Sequence, residues 1–205
     1  FCSRESALSN KELLMEYEDY QYLRFERPGK GILLIKINRP EVLNATNARL
    51  HNELTYVWST VEADDLTNVV VITGEGDKAF SAGGDMDLIE GMIGNSEEIL
   101  RVQKEARDLV YNILAFEKPV ISAINGVAVG AGLAVALPAD ISVMNEDGKL
   151  SDGHTKLGVG AGDHAAIIWP LLCGMAKAKY YLMTADFVSG PEAERIGLVT
   201  FCKPS

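Results

Sequence analysis

Residues 119–139 read PVISAINGVAVGAGLAVALPA, a run of 21 positions without a charged side chain. The length of this run alone would suit a membrane-spanning helix. However, Asn125-Gly126, Gly130-Ala131-Gly132 and Pro138 interrupt the run, and residues of these types form turns and end helices. We therefore predict a buried strand over Pro119–Ile124, followed by a glycine-bearing loop and a short helix of small apolar residues inside a soluble core.

Strands and helices are predicted to alternate on both sides of this segment. Runs of apolar, β-branched or aromatic residues predict strands, and apolar residues spaced by three and four predict helices. The predicted strands are Tyr20–Arg27, Gly31–Asn38, Asn68–Gly74, Pro119–Ile124 and Asp140–Met144, with a turn at Pro28-Gly29-Lys30. One predicted helix is capped by Thr46 or Asn47, and a second by Ser96. No linker or low-complexity stretch divides the chain. This alternation indicates one α/β domain with largely parallel strands covered by helices.

The composition argues against several classes of function. The 205 residues include 19 Lys and Arg against 29 Asp and Glu, a net charge of −10, and 47% of them are hydrophobic. This apolar content argues against disorder, and an acidic chain without a basic stripe is not expected to bind nucleic acid. Cys2, Cys173 and Cys202 form no CxxC pair, so neither a disulfide framework nor a thiolate zinc site is expected. We expect a cytoplasmic protein without a membrane span.

Two loops have the composition of a binding site for a carbonyl compound. They are Ala79–Asp85 (AFSAGGD) and Asn125–Gly132 (NGVAVGAG), and each follows a predicted buried strand and leads into a helix. Small residues allow a ligand to approach the backbone, and free N–H groups at the start of a helix favour developing negative charge. Two such loops facing each other would form an oxyanion hole. Close packing of strand on helix is the alternative explanation of the same small residues.

Five motifs in order resemble the enoyl-CoA hydratase, or crotonase, superfamily. They are RPEVLNA (Arg39–Ala45), KAFSAGGDM (Lys78–Met86), KPVISAINGVAVGAGLAVALPADI (Lys118–Ile141), LGVGAGD (Leu157–Asp163) and EAERIGLV (Glu192–Val199). The resemblance implies the crotonase-like fold, an α/β spiral of ββα turns with helices packed around it, assembled as a homotrimer or hexamer. It also implies that 20–205 form the crotonase-like domain and that the C-terminal helices of the superfamily are missing from this chain. Residues 1–19, before the first motif, are expected to form an N-terminal tail and helix.

The same resemblance assigns roles to the two loops. In the superfamily, two backbone N–H groups hold the thioester carbonyl of an acyl-CoA, and the motifs place these groups at Gly84 and Ala131. The loop Arg39–Ala45, together with Lys78 and Ala82, falls where relatives hold coenzyme A. Coenzyme A is thus expected only as part of a small-molecule substrate, and no metal or separate cofactor is implied.

The sequence departs from the superfamily at its acid/base residues. A hydratase of this superfamily uses two glutamates, because hydration needs an acid and a base on one face of the substrate. The motifs place Ala134 and His154 at those positions, and alanine cannot transfer a proton. His154 followed by Asp163 is similar to the β-diketone hydrolase branch, such as oxocamphor hydrolase, in which a His–Asp pair activates water for C–C cleavage. The resemblance therefore implies a catalytic His154–Asp163 dyad.

Other interpretations of these residues stay open. Asp163 would also suit the N-cap of a helix over Ala165–Leu172. His51, on the first helix, either contacts the substrate or is an ordinary helix histidine. His164, together with Asp152 and His154, suggests a metal site as an alternative, because His and Asp are metal ligands, although no motif spacing supports it.

Three functions from different classes are compatible with the sequence. The first is a crotonase-type enzyme that uses the His154–Asp163 dyad on a 1,3-dicarbonyl or an acyl-CoA. The second is an enoyl-CoA hydratase or isomerase whose acid/base residues come from elsewhere, with Glu146 and Asp152 as the nearest candidates. The third is a non-catalytic binding module that retains the fold.

Overall fold

A computed structural model of the chain describes residues 15–162 and 164–204. Within these residues the chain forms ten strands and six α-helices. The strands are β1 (Leu23–Gly29), β2 (Ile32–Ile37), β3 (Val69–Gly74), β4 (Ala79–Ser81), β5 (Val120–Ile124), β6 (Val127–Val129), β7 (Ile141–Asn145), β8 (Lys149–Ser151), β9 (Val188–Ser189) and β10 (Phe201–Lys203). The helices are α1 (Ala48–Glu62), α2 (Met86–Met92), α3 (Ser96–Ala115), α4 (Ala131–Ala136), α5 (Ala165–Thr184, interrupted at Gly174) and α6 (Gly190–Arg195).

From β3 to β8, consecutive strands alternate between two sheets. The larger sheet has the order β1-β2-β3-β5-β7-β10 and is parallel except for the β1–β2 hairpin. The smaller sheet has the order β4-β6-β8-β9 and is parallel except for β8–β9. The pairs β3–β4, β5–β6 and β7–β8 each add one strand to each sheet before the chain enters a helix. This repeat confirms the predicted α/β fold, a spiral of ββα turns with helices packed around it.

Helix α1 shows how the apolar periodicity builds the core. Leu50, Leu54 and Val57 are fully buried at helical spacing, and α1 packs alongside α3. Trp58 on the same helix is 2% exposed, and its ring centroid lies 5.4 Å from that of Phe116, just after α3. Burial of each such side chain stabilises the fold by about 1.5–3 kcal/mol. The helix is therefore held by its apolar face.

Most predicted helix starts and strands are confirmed. Asn47 is the N-cap of α1, and its side chain accepts a hydrogen bond from the Leu50 N–H at 2.9 Å. The predicted cap at Ser96 is wrong by one residue, because Asn95 accepts a hydrogen bond from the Glu98 N–H at 3.2 Å. The hairpin is confirmed, although β1 continues through Pro28 to Gly29, because the chain turns at Lys30-Gly31.

The uncharged run 119–139 is a strand, a loop and a short helix, as predicted. It contains β5 and α4, and the structure adds the three-residue strand β6 within the predicted loop. Similarly, β4 lies in a segment whose composition predicts a loop. These strands are too short to show a period in the sequence. None of the helices in the described part of the chain has the length and apolar character needed to cross a membrane.

Candidate active site

The carboxyl ends of three neighbouring parallel strands meet at one edge of the smaller sheet. Strand β4 leads into Ala82-Gly83-Gly84, β6 into Gly130-Ala131, and β8 into Asp152-Gly153-His154. The turns lie close together, since the Gly130 N–H donates to the Ser151 carbonyl at 3.2 Å. A parallel register places the ends of adjacent strands at the same edge. Three of the predicted catalytic positions, Gly84, Ala131 and His154, are thus in neighbouring turns.

Some of the small residues in these turns are required by packing. Gly83 has φ +90°, and a β-carbon there would lie 3.0 Å from the Val129 carbonyl oxygen. A β-carbon at Gly132 would lie 2.8 Å from the Ser81 β-carbon. A β-carbon at Gly84, in contrast, would meet only the Ile89 side chain at an ordinary 3.7 Å. Close packing therefore explains Gly83 and Gly132 but not Gly84.

The backbone N–H groups of Gly84 and Ala131 have no acceptor within residues 15–162 and 164–204. Thr46 forms backbone hydrogen bonds to the residues on either side of Gly84. The Thr46 N–H donates to the Gly83 carbonyl at 2.7 Å, and the Thr46 carbonyl accepts from the Asp85 N–H at 2.9 Å. In such a parallel bridge, the N–H of the residue between the two hydrogen bonds points away from the partner strand. Ala131 is the first residue of α4, where N–H groups have no intrahelical acceptor. Both groups are thus able to donate to a ligand.

His154 is paired with a buried carboxylate two residues earlier. Its Nδ1 lies 3.0 Å from each carboxylate oxygen of Asp152, and its backbone N–H donates to Asp152 Oδ2 at 3.3 Å. The Asp152 side chain is fully buried, whereas that of His154 is 26% exposed. This contact holds the imidazole in one orientation. Sequence reasoning names Asp152 only for the hydratase and metal alternatives, although the Asp-x-His spacing is a visible signal.

The other half of the predicted dyad lies outside the described residues. Asp163, predicted as the partner of His154 and as a helix cap, falls between the described ranges 15–162 and 164–204. Ala134, at the first glutamate position of the superfamily, is buried in α4. Its methyl side chain supplies neither an acid nor a base at that position.

His51 belongs to a buried polar network between α1 and α3. Its Nδ1 lies 2.7 Å from Glu105 Oε2, and the two residues are 5% and 4% exposed. Glu105 also accepts hydrogen bonds from Asn52 at 3.1 Å and Arg101 at 2.8 Å. Burial alone would raise the pKa of Glu105, but the hydrogen bonds from His51 and Asn52 outweigh it and hold the pKa below its usual value. No local sequence signal points to this partner, which lies 54 residues away.

The residues predicted to hold coenzyme A fall in two places. The Ala82 N–H donates to the Leu43 carbonyl at 2.9 Å, and Arg39 forms a 3.0 Å ion pair with Asp85. The loop Arg39–Ala45 therefore borders the Gly83-Gly84 turn. Lys78 is exposed just before the first residue of β4, at the opposite end of that strand from Gly84.

The residues named for the hydratase and metal alternatives do not form one group of ligands in the described part of the chain. Glu146 is exposed in the turn between β7 and β8, so it lies at the opposite end of β8 from His154. His164 is fully buried at the start of α5. In the described ranges, no group of three or more His, Cys, Asp or Glu side chains is arranged to hold a metal ion.

The known proteins that are similar to this chain agree in their descriptions. The sequence model of the family "Enoyl-CoA hydratase/isomerase" matches residues 27–205. The short-chain-enoyl-CoA hydratase of Clostridium acetobutylicum is 34% identical over 174 residues, covering 85% of this chain and 66% of that protein. The crotonyl-CoA hydratase of Syntrophomonas wolfei is 33% identical over 180 residues, covering 88% and 68%. The crystal structure of enoyl-CoA hydratase from Bacillus anthracis superposes with a TM-score of 0.84 at 30% identity, covering 90% and 70%.

The fold and the edge with two backbone donors and a histidine define a crotonase-type ββα spiral protein. The family match over most of the chain agrees with this architecture. The chain belongs to the enoyl-CoA hydratase/isomerase family. It spans about two thirds of the length of the curated relatives that it matches.

Proposed function

We propose that this protein is an acyl-CoA or 1,3-dicarbonyl enzyme that stabilises an oxyanion or enolate on the N–H groups of Gly84 and Ala131. His154 acts as its acid/base group, with Asp163 as the predicted carboxylate partner. The observation that carries the proposal is the convergence of β4, β6 and β8, which lead into the turns that carry Gly84, Ala131 and His154 at one edge. Backbone donors aimed at developing negative charge are among the strongest sources of catalysis.

The reaction that these groups suit best is hydrolysis of a C–C bond in a 1,3-dicarbonyl compound. His154 removes a proton from water, and the resulting hydroxide attacks one carbonyl carbon. The Gly84 and Ala131 N–H groups hold the oxyanion of the tetrahedral intermediate. That intermediate collapses to a carboxylic acid as the C–C bond breaks, and the bonding electrons leave on the enolate of the other carbonyl. His154 then returns the proton to the enolate carbon.

The acid/base residues favour this reaction over the two-glutamate hydration. Hydration by the superfamily mechanism needs two carboxylates, at the positions where this chain has Ala134, buried in α4, and His154. Hydrolysis of a 1,3-dicarbonyl needs only one residue that alternates between base and acid. His154 suits that task, since the unperturbed pKa of histidine lies near neutral pH.

Enoyl-CoA hydration is the second candidate function. It is supported by the two similar proteins from Clostridium acetobutylicum and Syntrophomonas wolfei, which are named as hydratases of enoyl-CoA substrates. A non-catalytic binding module, the third possibility, would bind a coenzyme A ester but would turn over neither crotonyl-CoA nor a cyclic 1,3-diketone.

Replacement of His154 tests the proposed role directly. Turnover of crotonyl-CoA and of a cyclic 1,3-diketone is measured for the wild type and for His154→Gln, with Lys156→Ala, an exposed neighbour, as the control. We expect the wild type to cleave the diketone and His154→Gln to lose about 10²- to 10⁴-fold in kcat while keeping its circular dichroism. Lys156→Ala should retain the wild-type rate. Undiminished activity in a folded His154→Gln variant would show that another group is the base.

A further inference from the structure

The histidine at the site edge has a second carboxylate candidate besides the predicted Asp163. We propose that Asp152 is the positioning residue of His154: it fixes the imidazole tautomer and raises its basicity. Asp152 Oδ1 and Oδ2 both lie 3.0 Å from His154 Nδ1. The inference rests on the proposed role of His154 as the acid/base group. Asp152 does not itself touch the substrate.

The burial of Asp152 sets it apart from an ordinary turn-forming aspartate. Its side chain is 0% exposed, and an ionised carboxylate is costly to bury unless it is paired and hydrogen-bonded. Within the described ranges, no Lys or Arg forms an ion pair with Asp152, and its side-chain hydrogen bonds go to the ring and the backbone N–H of His154. The imidazole is thus the side-chain partner that this carboxylate has in the described structure.

The pairing atom determines the chemistry of the ring. Because a carboxylate only accepts hydrogen bonds, Asp152 selects the tautomer that carries its proton on Nδ1. The lone pair of the neutral ring then lies on Nε2, which is the nitrogen that takes the proton from water. Once Nε2 is protonated, the negative charge of Asp152 stabilises the imidazolium.

Backbone geometry supports the same arrangement. Gly153 separates the two side chains and has φ +78°, a conformation that glycine adopts without strain. A β-carbon at Gly153 would also lie 3.1 Å from a methyl carbon of Val129. This turn brings the Asp152 carboxylate and the His154 backbone N–H within 3.3 Å of each other. The carboxylate is therefore held in place by the fold rather than by the imidazole alone.

Other titratable side chains lie on the elements around His154. Lys156 of the same 3-10 helix lies over the Phe187 ring at 5.2 Å. Helix α5 packs against this 3-10 helix, and its Lys179 lines a groove with Thr155. His164, before the first residue of α5, is buried. Unlike these cationic or neutral side chains, Asp152 is an acidic residue in direct contact with His154 Nδ1, at 3.0 Å.

The first test uses the wild-type chain and needs no substrate. Nitrogen-15 NMR of histidine-labelled protein reports which ring nitrogen of His154 carries the proton, with His154→Gln used to assign its signals. We expect the neutral ring to be protonated on Nδ1. A neutral ring protonated on Nε2 would overturn the proposal. This readout does not depend on whether the reaction proposed above is the correct one.

The second test compares variants by their pH profiles. Asp152→Asn should lower kcat by about 10²- to 10⁴-fold with little change in KM, because the amide also supports the wrong tautomer. In the residual activity, the apparent pKa of the acidic limb of kcat/KM should move to lower pH, since an anion beside the ring is lost. Asp152→Glu should restore part of the rate by restoring the carboxylate. The exposed control Asp147→Asn should match the wild type.

Parallel measurement of Asp163→Asn separates the two carboxylates. The inference is overturned if folded Asp152→Asn keeps the wild-type rate and pH profile, including the case in which Asp163→Asn alone reproduces the loss. Circular dichroism is recorded for each variant. If Asp152→Asn fails to fold, the NMR measurement on the wild type decides. Inactive His154→Gln combined with fully active Asp152→Asn would leave the proposed function intact and reject only this inference.

Discussion

At the scale of single residues, the site depends on backbone atoms more than on side chains. Ala131 presents its N–H at the start of α4, and its methyl group does not affect that donor. Gly84 has room for a β-carbon, whereas Gly132 does not. The proposed site therefore needs a free backbone N–H at Gly84 and Ala131, whereas the packing at Gly132 needs a residue without a β-carbon.

Removal of the Ala131 N–H is expected to impair catalysis without unfolding the protein. Proline is well tolerated as the first residue of a helix, so Ala131→Pro deletes the donor and keeps α4. We expect kcat to fall by about 10²- to 10³-fold, the usual effect of losing one oxyanion donor. Ala48→Pro is the matched control, because Ala48 is the exposed first residue of α1. Equal rates for both proline variants would argue against the oxyanion role.

Alanine substitution of two glycines is expected to change stability in opposite directions. Gly132→Ala places a β-carbon 2.8 Å from that of Ser81, so we expect it to destabilise the fold by about 1–3 kcal/mol. At Gly91, in α2, an added methyl group would have no atom within 4 Å among the described residues. Gly91→Ala should therefore stabilise by about 0.4–1 kcal/mol. Denaturant unfolding measures both free energies, and a stable Gly132→Ala variant would show that strand β4 yields more readily than its packing indicates.

At the scale of elements, a buried polar network joins α1 and α3. Apolar contacts alone would not specify the position of one helix along the other. Glu105 on α3 accepts hydrogen bonds from His51 and Asn52 on α1. The hydroxyl group of Thr55 adds a contact to the Glu105 carbonyl at 3.3 Å. The network thus fixes the position of α1 along α3, and α1 begins two residues after Thr46, which bridges to Gly84.

Truncation of Glu105 is expected to weaken this helix pair. Glu105→Ala leaves His51 buried without its carboxylate, and loss of one partner of a buried pair costs about 3–5 kcal/mol. Gln103→Ala, an exposed position on the same helix, should stay within about 0.5 kcal/mol of the wild type. Chemical unfolding monitored by circular dichroism gives the comparison. Similar losses for both variants would mean that the network contributes little.

The same carboxylate gives a pH dependence with a defined sign. The pKa of Glu105 in the folded chain lies below its ordinary value of 4.5, because hydrogen bonds to the charged form outweigh the effect of burial. Its contribution to stability is fully present above pH 4.5 and is lost as the pH falls through the folded pKa. We therefore expect the wild type to lose stability in acid more steeply than Glu105→Gln. Parallel stability curves for the two proteins in this acidic range would contradict the prediction.

At the scale of the whole molecule, we expect the homotrimer or hexamer that the resemblance implies. Helix α5 exposes large apolar side chains, among them Leu171 at 78% and Met183 at 75%. Contiguous exposed apolar surface is typical of association surfaces. Light scattering at micromolar concentration should give three or six times the monomer mass. The double substitution Leu171→Lys with Met183→Lys should lower that mass. The control Leu66→Lys, at an exposed residue after α1, should leave the mass unchanged. A monomeric wild type would refute the expected assembly.

Signals between adjacent residues were sufficient for the class of fold and for most of its turns. Turn residues and apolar periodicity are local, so the hairpin, α1, β3 and the interrupted run 119–139 follow from neighbouring positions. The motifs also indicated Gly84, Ala131 and His154 as site positions. The strands β4 and β6 were not predicted, because three residues are too few to show an alternation of apolar and polar side chains.

The contacts between distant groups, in contrast, came only from the folded chain. The ends of β4, β6 and β8 meet because their parallel register aligns them, although they are separated by tens of residues in the sequence. His51 and Glu105 pair across 54 positions for the same kind of reason, since α1 and α3 lie side by side. Even Asp152 and His154, two residues apart, depend on the fold: the strand buries the carboxylate, and the left-handed turn at Gly153 directs the imidazole onto it.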